Sequence, residues 1–466
     1  MNALTRRKSL KQLQQEGLKS TGLKRVLSLP TLTAIGLGGI IGVGIFVLTG
    51  VAAAKNAGPG VILSFIIAGL ASAAAALCYA EFSGLIPVAG SAYTYSYAVL
   101  GEFAAWMIGW DLLLEYALVV SVVAIGWSGY FRAILEQFGL HLPVWAQGAP
   151  GTGAGHHFDL FAFIISLGIA ALLTLGVKEG ARFNNIMVAI KLAVIVVVIG
   201  IGAFYVKPEL WHPFMPFGFG GVVSGASLVF FAVFGYDTLT TAAEEAKNPQ
   251  RDLPRAVVLS LAIALILYAG MSLVLTGIAK YSTLNNAAPV ARAFASLGLK
   301  WVTIIISVAA VAGILSVLFS FMLAAARIWF AMSRDGLLPA WFSKIHPRFK
   351  TPHRPTLILG ALTAVVAGLT PISEVAELVN IGTLSAFILI CGSIIVLRKR
   401  QPHLERSFRT PWVPFTPIVG IIFSIWLITK LPAVTWLRFV IWLVIGLIVY
   451  FSYGKRHSKL AEENQH

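Results

Sequence analysis

Long apolar runs alternate with short polar ones along almost the whole chain. A helix crossing the hydrocarbon core of a bilayer needs about 20 mostly apolar residues. Twelve segments meet that requirement, beginning near residues 31, 59, 102, 158, 183, 219, 256, 300, 355, 376, 413 and 433. The longest stretches between them, such as "FGLHLPVWAQGAPGTGAGHHFD" and "SRDGLLPAWFSKIHPRFKTPHRP", run to roughly 20 to 25 residues, too short for a further soluble domain.

The apolar pattern is interrupted at two matching places. In span 1, "GLGGIIGVGIF" (Gly36 to Phe46) puts five glycines into eleven residues; in span 6, "FFAVFGYD" (Phe230 to Asp237) runs from apolar residues into a glycine and an acid. Small residues four apart, such as Gly38 and Gly42, also serve close helix packing, which is the alternative reading of an isolated motif. Two interruptions at the first member of each of two sets of five favour a transporter-like repeat. The twelve spans then read as five plus five plus two, and because five is odd the second set enters the membrane inverted. Broken backbone at membrane depth is tolerated only against protein or a polar cavity, so a ligand is the natural partner of both breaks. The expected organisation is a basic N-terminal segment (1–29), a ten-helix core (30–398), a loop with helices 11 and 12 (399–454) and a tail (455–466). The polar start carries no short apolar run with a small-residue cleavage site, so no removable signal peptide is expected.

Composition strengthens the membrane reading: 58% of the 466 residues are hydrophobic, 12% are charged, and the mean hydropathy is +0.84. The net charge of +16 could point to nucleic acid, but its placement removes that need. With a cytoplasmic N-terminus, 26 of the 35 Lys and Arg fall on the cytoplasmic side and 8 on the other, leaving Lys191 as the one cation inside a span. This is the positive-inside pattern of a multi-pass cell-membrane protein with both termini cytoplasmic, its basic loops beside anionic lipid. Cys78 and Cys391 lie in apolar spans without metal-ligand spacing. All nine histidines fall in loops or tails. A midplane metal or His-based catalytic centre therefore has no ligands, which argues against a membrane enzyme.

Several motifs occur in a fixed order: "GGIIGVGIF" in span 1, "YAEFSGLIPVAGSAYTY" after span 2, "GEFAAWMIGW" opening span 3, "FFAVFGYDTLTTAAEEAKNPQRDLP" in and after span 6, and "SRDGLLP" after span 8. Together they resemble the amino acid, polyamine and organocation (APC) transporter superfamily, over the chain from span 1 to about span 10. Lys191 in span 5, Glu115 in span 3 and the basic N-terminal segment look most like a bacterial relative of the cationic amino acid transporters. The resemblance implies an all-α integral membrane fold of the leucine-transporter type. In it, an inverted repeat of five plus five helices is followed by two C-terminal helices, and helices 1 and 6 are broken at mid-membrane.

An α-amino acid presents a carboxylate and an ammonium, and a broken helix presents complementary partial charges at its cut ends. By resemblance, the N–H groups of Val43 and Gly44 hold the carboxylate, and the carbonyls of Ile40, Phe231 and Phe234 accept from the ammonium. Gly42 and Gly44 permit the break and let substrate approach backbone where a Cβ would intrude. Phe231 stands where the family places an aromatic gate, although the sequence alone equally allows a core aromatic. Lys191, in "NNIMVAIKLAVIVVVIG", lies about eight residues or roughly 12 Å into span 5. Snorkelling to the interface is its bland alternative. As a buried ionisable group it is a candidate proton switch, holding span 1 carbonyls and hydroxyls such as Ser316 while protonated. By resemblance it replaces the cation of sodium-coupled members.

Asp111 and Glu115 lie four apart on one helix face. Glu115 is a candidate to receive a cationic side chain or set the field of the pocket; a structural hydrogen-bonded carboxyl is the alternative. Asp237, Glu244 and Glu245 are expected to hydrogen-bond loops and pair with Lys247 or Arg251. Glu81 and Glu102 bracket a loop to which the family motif gives a conformational role. "FSFM" (Phe319 to Met322) is expected to wall the side-chain pocket with Phe231 and span 3. The expected activity is proton-coupled symport of a small neutral L-amino acid by alternating access, with a cationic substrate left open by Glu115. An amino acid/amine exchanger moving no net proton is the alternative. A channel is disfavoured because neither half supplies a ring of filter residues. No cofactor is expected beyond the coupling proton. The expected partners are substrate and membrane lipid; a monomer is expected, and the sequence does not say whether a small accessory subunit binds.

Overall fold

A computed structural model describes residues 6–8, 25–88, 90–285, 288–429, 431 and 433–460. Most of the basic N-terminal segment (1–5 and 9–24), the tail end (461–466) and Lys430 lie outside the described residues. Among the described residues the architecture is helical, apart from a short antiparallel ladder pairing Gln147–Gly148 with Phe158–Asp159 and an isolated parallel bridge between Leu27 and Ala246. Among the described residues, eight helices are long and apolar enough to cross a membrane and four more are apolar but shorter.

The helices are α1 (Leu29–Ile40), α2 (Val61–Leu85), α3 (Ala92–Val99), α4 (Glu102–Gln137), α5 (Leu160–Leu175), α6 (Val177–Ala203) and α7 (Gly218–Val229). They continue as α8 (Pro249–Ile278), α9 (Pro289–Ser296), α10 (Lys300–Arg334), α11 (His353–Leu369), α12 (Ile372–Arg400), α13 (Phe415–Ile428) and α14 (Ala433–Val449). Beyond α1 a second helical segment, Gly44 to Ala57, contains two wide π turns, and beyond α7 the chain continues as tight 3-10 turns from Tyr236 to Glu245.

The apolar windows place most helix starts within a few residues. Two helices run further into polar sequence than hydropathy suggests. α6 starts at Val177 instead of near 183, and α8 starts at Pro249 instead of near 256. Within the "KNPQRDLP" stretch, Asn248 caps α8 and residues 249–254 form its first turns. Pro249 occupies the opening position, where its missing N–H costs nothing and its fixed φ suits a helix. The short helices α3 and α9 give no spanning signal because each has only eight residues.

Helix α1 sits at the centre, packed on α6, α8 and α10, while α10 also packs along α4. Helices α13 and α14 lie at the periphery, and Ile422, Ile441 and Ile448 are exposed there. Apolar side chains pointing outward suit a lipid solvent, because hydrocarbon makes no demand that they be hidden.

Candidate functional site

Helix α1 ends where Ile41 turns to extended backbone (φ −88°, ψ 108°), and Val43 resumes helical angles. The segment from Val43 onward has no preceding turn, so its first N–H groups point into the gap without intrahelical acceptors. The second break follows the 3-10 turn Phe230–Ala232. There Gly235 takes a left-handed conformation (φ 114°) that a side chain would strain. The two breaks touch directly. A Cβ on Gly39 would lie 2.6 Å from the Gly235 carbonyl oxygen, and one on Gly235 would lie 2.7 Å from the Gly39 carbonyl carbon.

Room, and not conformation, explains the other glycines. Gly42 and Gly44 do not occupy the left-handed region. A Cβ on Gly42 would strike the Val317 side chain of α10, and one on Gly44 would strike Ala232 and come within 2.9 Å of the Tyr268 hydroxyl. A Cβ at either position would therefore meet protein atoms of α10 or of the second break.

The exposed carbonyls fall into two groups. Ile40 O accepts from the Tyr268 hydroxyl (3.0 Å), Val233 O from Ser72 (2.7 Å), Gly235 O from Thr238 (2.6 Å) and Ile35 O from Ser320 (3.0 Å). No side chain donates to the carbonyls of Phe231 and Phe234 among the described residues. Phe231 is half-buried; its ring stands edge-on to Phe234 at 5.5 Å, and Phe234 stands edge-on to Phe321 at 5.9 Å. Of the "FSFM" run, Phe321 faces this cluster and Ser320 reaches α1. Phe319 lies over Gly180 on the α6 side, so the run does not form one wall.

Lys191 is fully buried at the centre of α6, fourteen residues or about 21 Å from its start, far deeper than the sequence estimate because the helix begins earlier. Its Nζ donates to Ile41 O (2.5 Å), Leu37 O (3.0 Å) and Gly38 O (3.4 Å) at the end of α1, and to Ser316 Oγ of α10 (2.6 Å). Among the described residues no carboxylate pairs with it, so its ammonium is held by backbone dipoles and one hydroxyl. One residue on this seam was missed by the sequence reading. Asn184 lies two turns before Lys191, near Gly38, with both side-chain polar atoms buried and unpartnered. The signal was the spacing of seven, which places both residues on one helix face.

Lys191 is not the sole cation within a long helix. Arg327 lies inside α10, 2% exposed, and donates to Glu245 Oε1 through Nε (2.8 Å) and Nη2 (2.5 Å). Arg334 holds Glu244 at 2.8 Å. The acids after the second break therefore pair with α10, and not with Lys247 or Arg251, because that segment folds back under α10. Hydropathy hides Arg327, as α10 extends past the apolar window.

Glu115 accepts from Thr383 of α12 (2.6 Å), and its other oxygen has no partner; Asp111 lies beside Gly382 of α12. Both face α12, away from the Lys191 seam. Tyr116, next in sequence, donates to Asp237 just beyond the second break. Glu81 accepts from Arg398 (2.9 and 2.8 Å) and the Thr410 N–H, and is ion-paired with Arg406 (2.8 Å). Glu102 accepts from Tyr97 (3.0 Å), Tyr450 (2.9 Å) and Ser458 (2.5 Å). Cys78 and Cys391 are free and buried, and no group of metal-ligating side chains forms among the described residues.

Two helices broken side by side, each offering unspent backbone polar groups deep in an apolar bundle, describe a carrier for a small polar solute. A family model for amino acid permeases matches residues 27–452. The chain is 50% identical over 460 residues to the methylthioribose transporter of Bacillus subtilis (strain 168), covering 99% of this chain and 100% of that protein. It is 49% identical to the branched-chain amino acid permease BcaP of the same organism, covering 98% of each. It is 30% identical to the vacuolar cationic amino acid transporter 4 of Arabidopsis thaliana, covering 99% of this chain and 97% of that one. The chain is thus a multi-pass membrane transporter and not an enzyme; it belongs to the amino acid permease family of the APC superfamily.

Proposed function

We propose that this protein is a proton-coupled symporter of small neutral L-amino acids in the cell membrane. Both termini are cytoplasmic, and twelve spans are arranged as two inverted sets of five plus two. The observation that carries this reading is the pair of breaks in backbone contact. Val43 and Gly44 supply N–H groups to a carboxylate, and the Phe231 and Phe234 carbonyls, free of side-chain donors, accept from an ammonium. Ile40 serves less directly, since Tyr268 already donates to its carbonyl. Phe231 closes the site from outside, and its apolar neighbours Phe234 and Phe321 suit an uncharged side chain. Glu115, turned toward Thr383, is a structural carboxyl in this reading and does not select a cationic substrate.

Lys191 provides the coupling. A protonated ammonium has three donors and no acceptor, and here four acceptors, three carbonyls and a hydroxyl, surround it, the Gly38 carbonyl being the most distant at 3.4 Å. The neutral amine keeps two donors and gains a lone pair that can face the Ser316 hydroxyl but not a carbonyl, so two donors are left for three α1 carbonyls and the hold on α1 weakens. Helix α1 is then released toward the cytoplasmic side, and protonation and substrate binding are linked through their different affinities for the two states.

The similar levels of identity to a methylthioribose transporter and to a branched-chain amino acid permease do not choose a substrate. A sugar thioether has neither carboxylate nor ammonium, so the backbone argument favours the amino acid. The test is uptake of labelled alanine, leucine, arginine and methylthioribose into liposomes, with and without an inward proton gradient. Gradient-driven accumulation of alanine or leucine is expected. Accumulation of methylthioribose alone, or of arginine as strongly as alanine, overturns the substrate assignment, and indifference to the gradient overturns the coupling.

A further inference from the structure

Away from the breaks, a cavity of about 470 Å³ opens between α4, α10, α11 and α14. Its walls are apolar, formed by Leu114, Leu118 and Leu362 and by the indoles of Trp110, Trp329 and Trp442. Trp110 and Trp442 stack at 4.5 Å, and each donates its Nε1–H to the other's backbone carbonyl (2.9 and 3.1 Å), so their polar atoms are satisfied within the protein. Trp329 differs: its Nε1 is buried without a partner. An indole N–H deprived of an acceptor is costly, and Trp329 is one of the residues that line this cavity.

Trp329 lies five residues before the end of α10, 4.9 Å from Phe342 of the following loop. Residues 333–355 of that loop region carry Arg334, Lys344, Arg348, Lys350 and Arg354 against one acid, Asp335. Asp335 is held by Lys8, and Arg334 by Glu244. Lys344, Arg348, Lys350 and Arg354 form no ion pair among the described residues. The rim residue Leu362 is 54% exposed, so the cavity communicates with the lipid side of the bundle.

We propose that this cavity holds one acyl chain of an anionic phospholipid. The chain fills the tryptophan-walled slot, an ester or phosphate oxygen accepts from Trp329 Nε1, and the headgroup charge rests against Lys344, Arg348, Lys350 and Arg354. An apolar chain meets no polar wall there, the orphan donor gains its acceptor, and the unpaired cations gain a counter-charge.

The test is native mass spectrometry of the full chain, purified in detergent and incubated with dioleoyl phosphatidylglycerol or dioleoyl phosphatidylcholine. The parent is expected to retain one phosphatidylglycerol under activation that strips phosphatidylcholine. Ala117→Phe fills the slot from α4, and Leu362→Phe narrows it from the exposed rim where folding is not at risk; each should lose that lipid. Lys344→Gln with Arg348→Gln should keep a lipid but lose preference for the anionic one, roughly fivefold per charge removed. Trp329→Phe, which keeps the ring and removes the donor, should weaken retention of both lipids. Equal retention of the two lipids by the parent, or an unchanged lipid in both filled variants, overturns the proposal. A dimer mass abolished by the same two variants also overturns it, by assigning the face to a second copy of the chain.

Discussion

A lysine ammonium buried among three carbonyls and a hydroxyl is held by dipoles alone, and such a charge persists only where the surroundings supply every hydrogen bond it can make. Lys191→Met keeps the length of the side chain and removes the charge. In liposomes it should abolish proton-driven accumulation while exchange of substrate across the membrane continues, and uptake should lose its rise with an acidic exterior. Accumulation equal to the parent's shows that Lys191 is structural. Gly44 gives a second expectation at this scale. Gly44→Val forces side-chain atoms into Ala232 and toward Tyr268, an overpacking that costs about 1–3 kcal/mol, less than most folds can absorb. The variant should remain folded by its thermal transition yet show no stabilisation by substrate; normal binding places the site elsewhere.

Helix α6 carries two polar groups on one face, and they differ in how well they are served. Lys191 has all its partners, whereas Asn184 has none, although the side chain is fully buried. An unsatisfied buried amide costs about 1–3 kcal/mol, so Asn184→Leu should raise the melting temperature of this state. A group that costs stability here is retained for another state, so the same variant should slow net uptake. A gain in stability with unchanged uptake removes Asn184 from the cycle. The two broken helices were the most legible elements in the sequence, because glycine clusters inside apolar runs have a direct physical reading. The partners of the acids were not legible. Glu244 and Glu245 meet Arg334 and Arg327 only because the 3-10 segment packs on α10, and proximity of that kind leaves no mark on either stretch alone. The surroundings of Glu115 were hidden for the same reason: helical spacing places it on the face of Asp111 but does not say that the face looks toward α12.

Across the whole molecule, the end carrying residues 6–8, 244–245, 334–335 and 398–406 is tied by ion pairs, while the breaks rely on hydroxyls and backbone. The Arg327 to Glu245 pair is deeply buried among these ties, at 3% and 1% side-chain exposure. Removing one partner of a buried pair typically costs about 3–5 kcal/mol, because the other charge is stranded. Arg327→Met should therefore lower the melting temperature strongly, and Arg327→Met with Glu245→Leu should recover most of the loss. Additive losses in that pair of variants show that the two residues do not act together. The helical, membrane-spanning character and the approximate starts of the apolar helices followed readily from hydropathy, since hydrocarbon imposes one pattern on every span. How the helices pack did not follow, because side chains in contact with lipid and with protein are both apolar.

The surroundings of Glu102 bear on how the chain is made. This carboxylate opens α4 and is fully buried, yet two of its hydroxyl donors, Tyr450 and Ser458, come from the end of the sequence. Its backbone N–H donates to the carbonyl of Arg6, at the other end. During synthesis, α4 leaves the ribosome more than three hundred residues before Ser458 does. For that interval a central helix waits with an acid two of whose partners do not yet exist. Insertion of the helices and completion of the fold are thus separate events in time, and a ribosome stalled anywhere before the last few residues leaves an unfinished, acid-bearing seam for the quality-control proteases of the membrane to find.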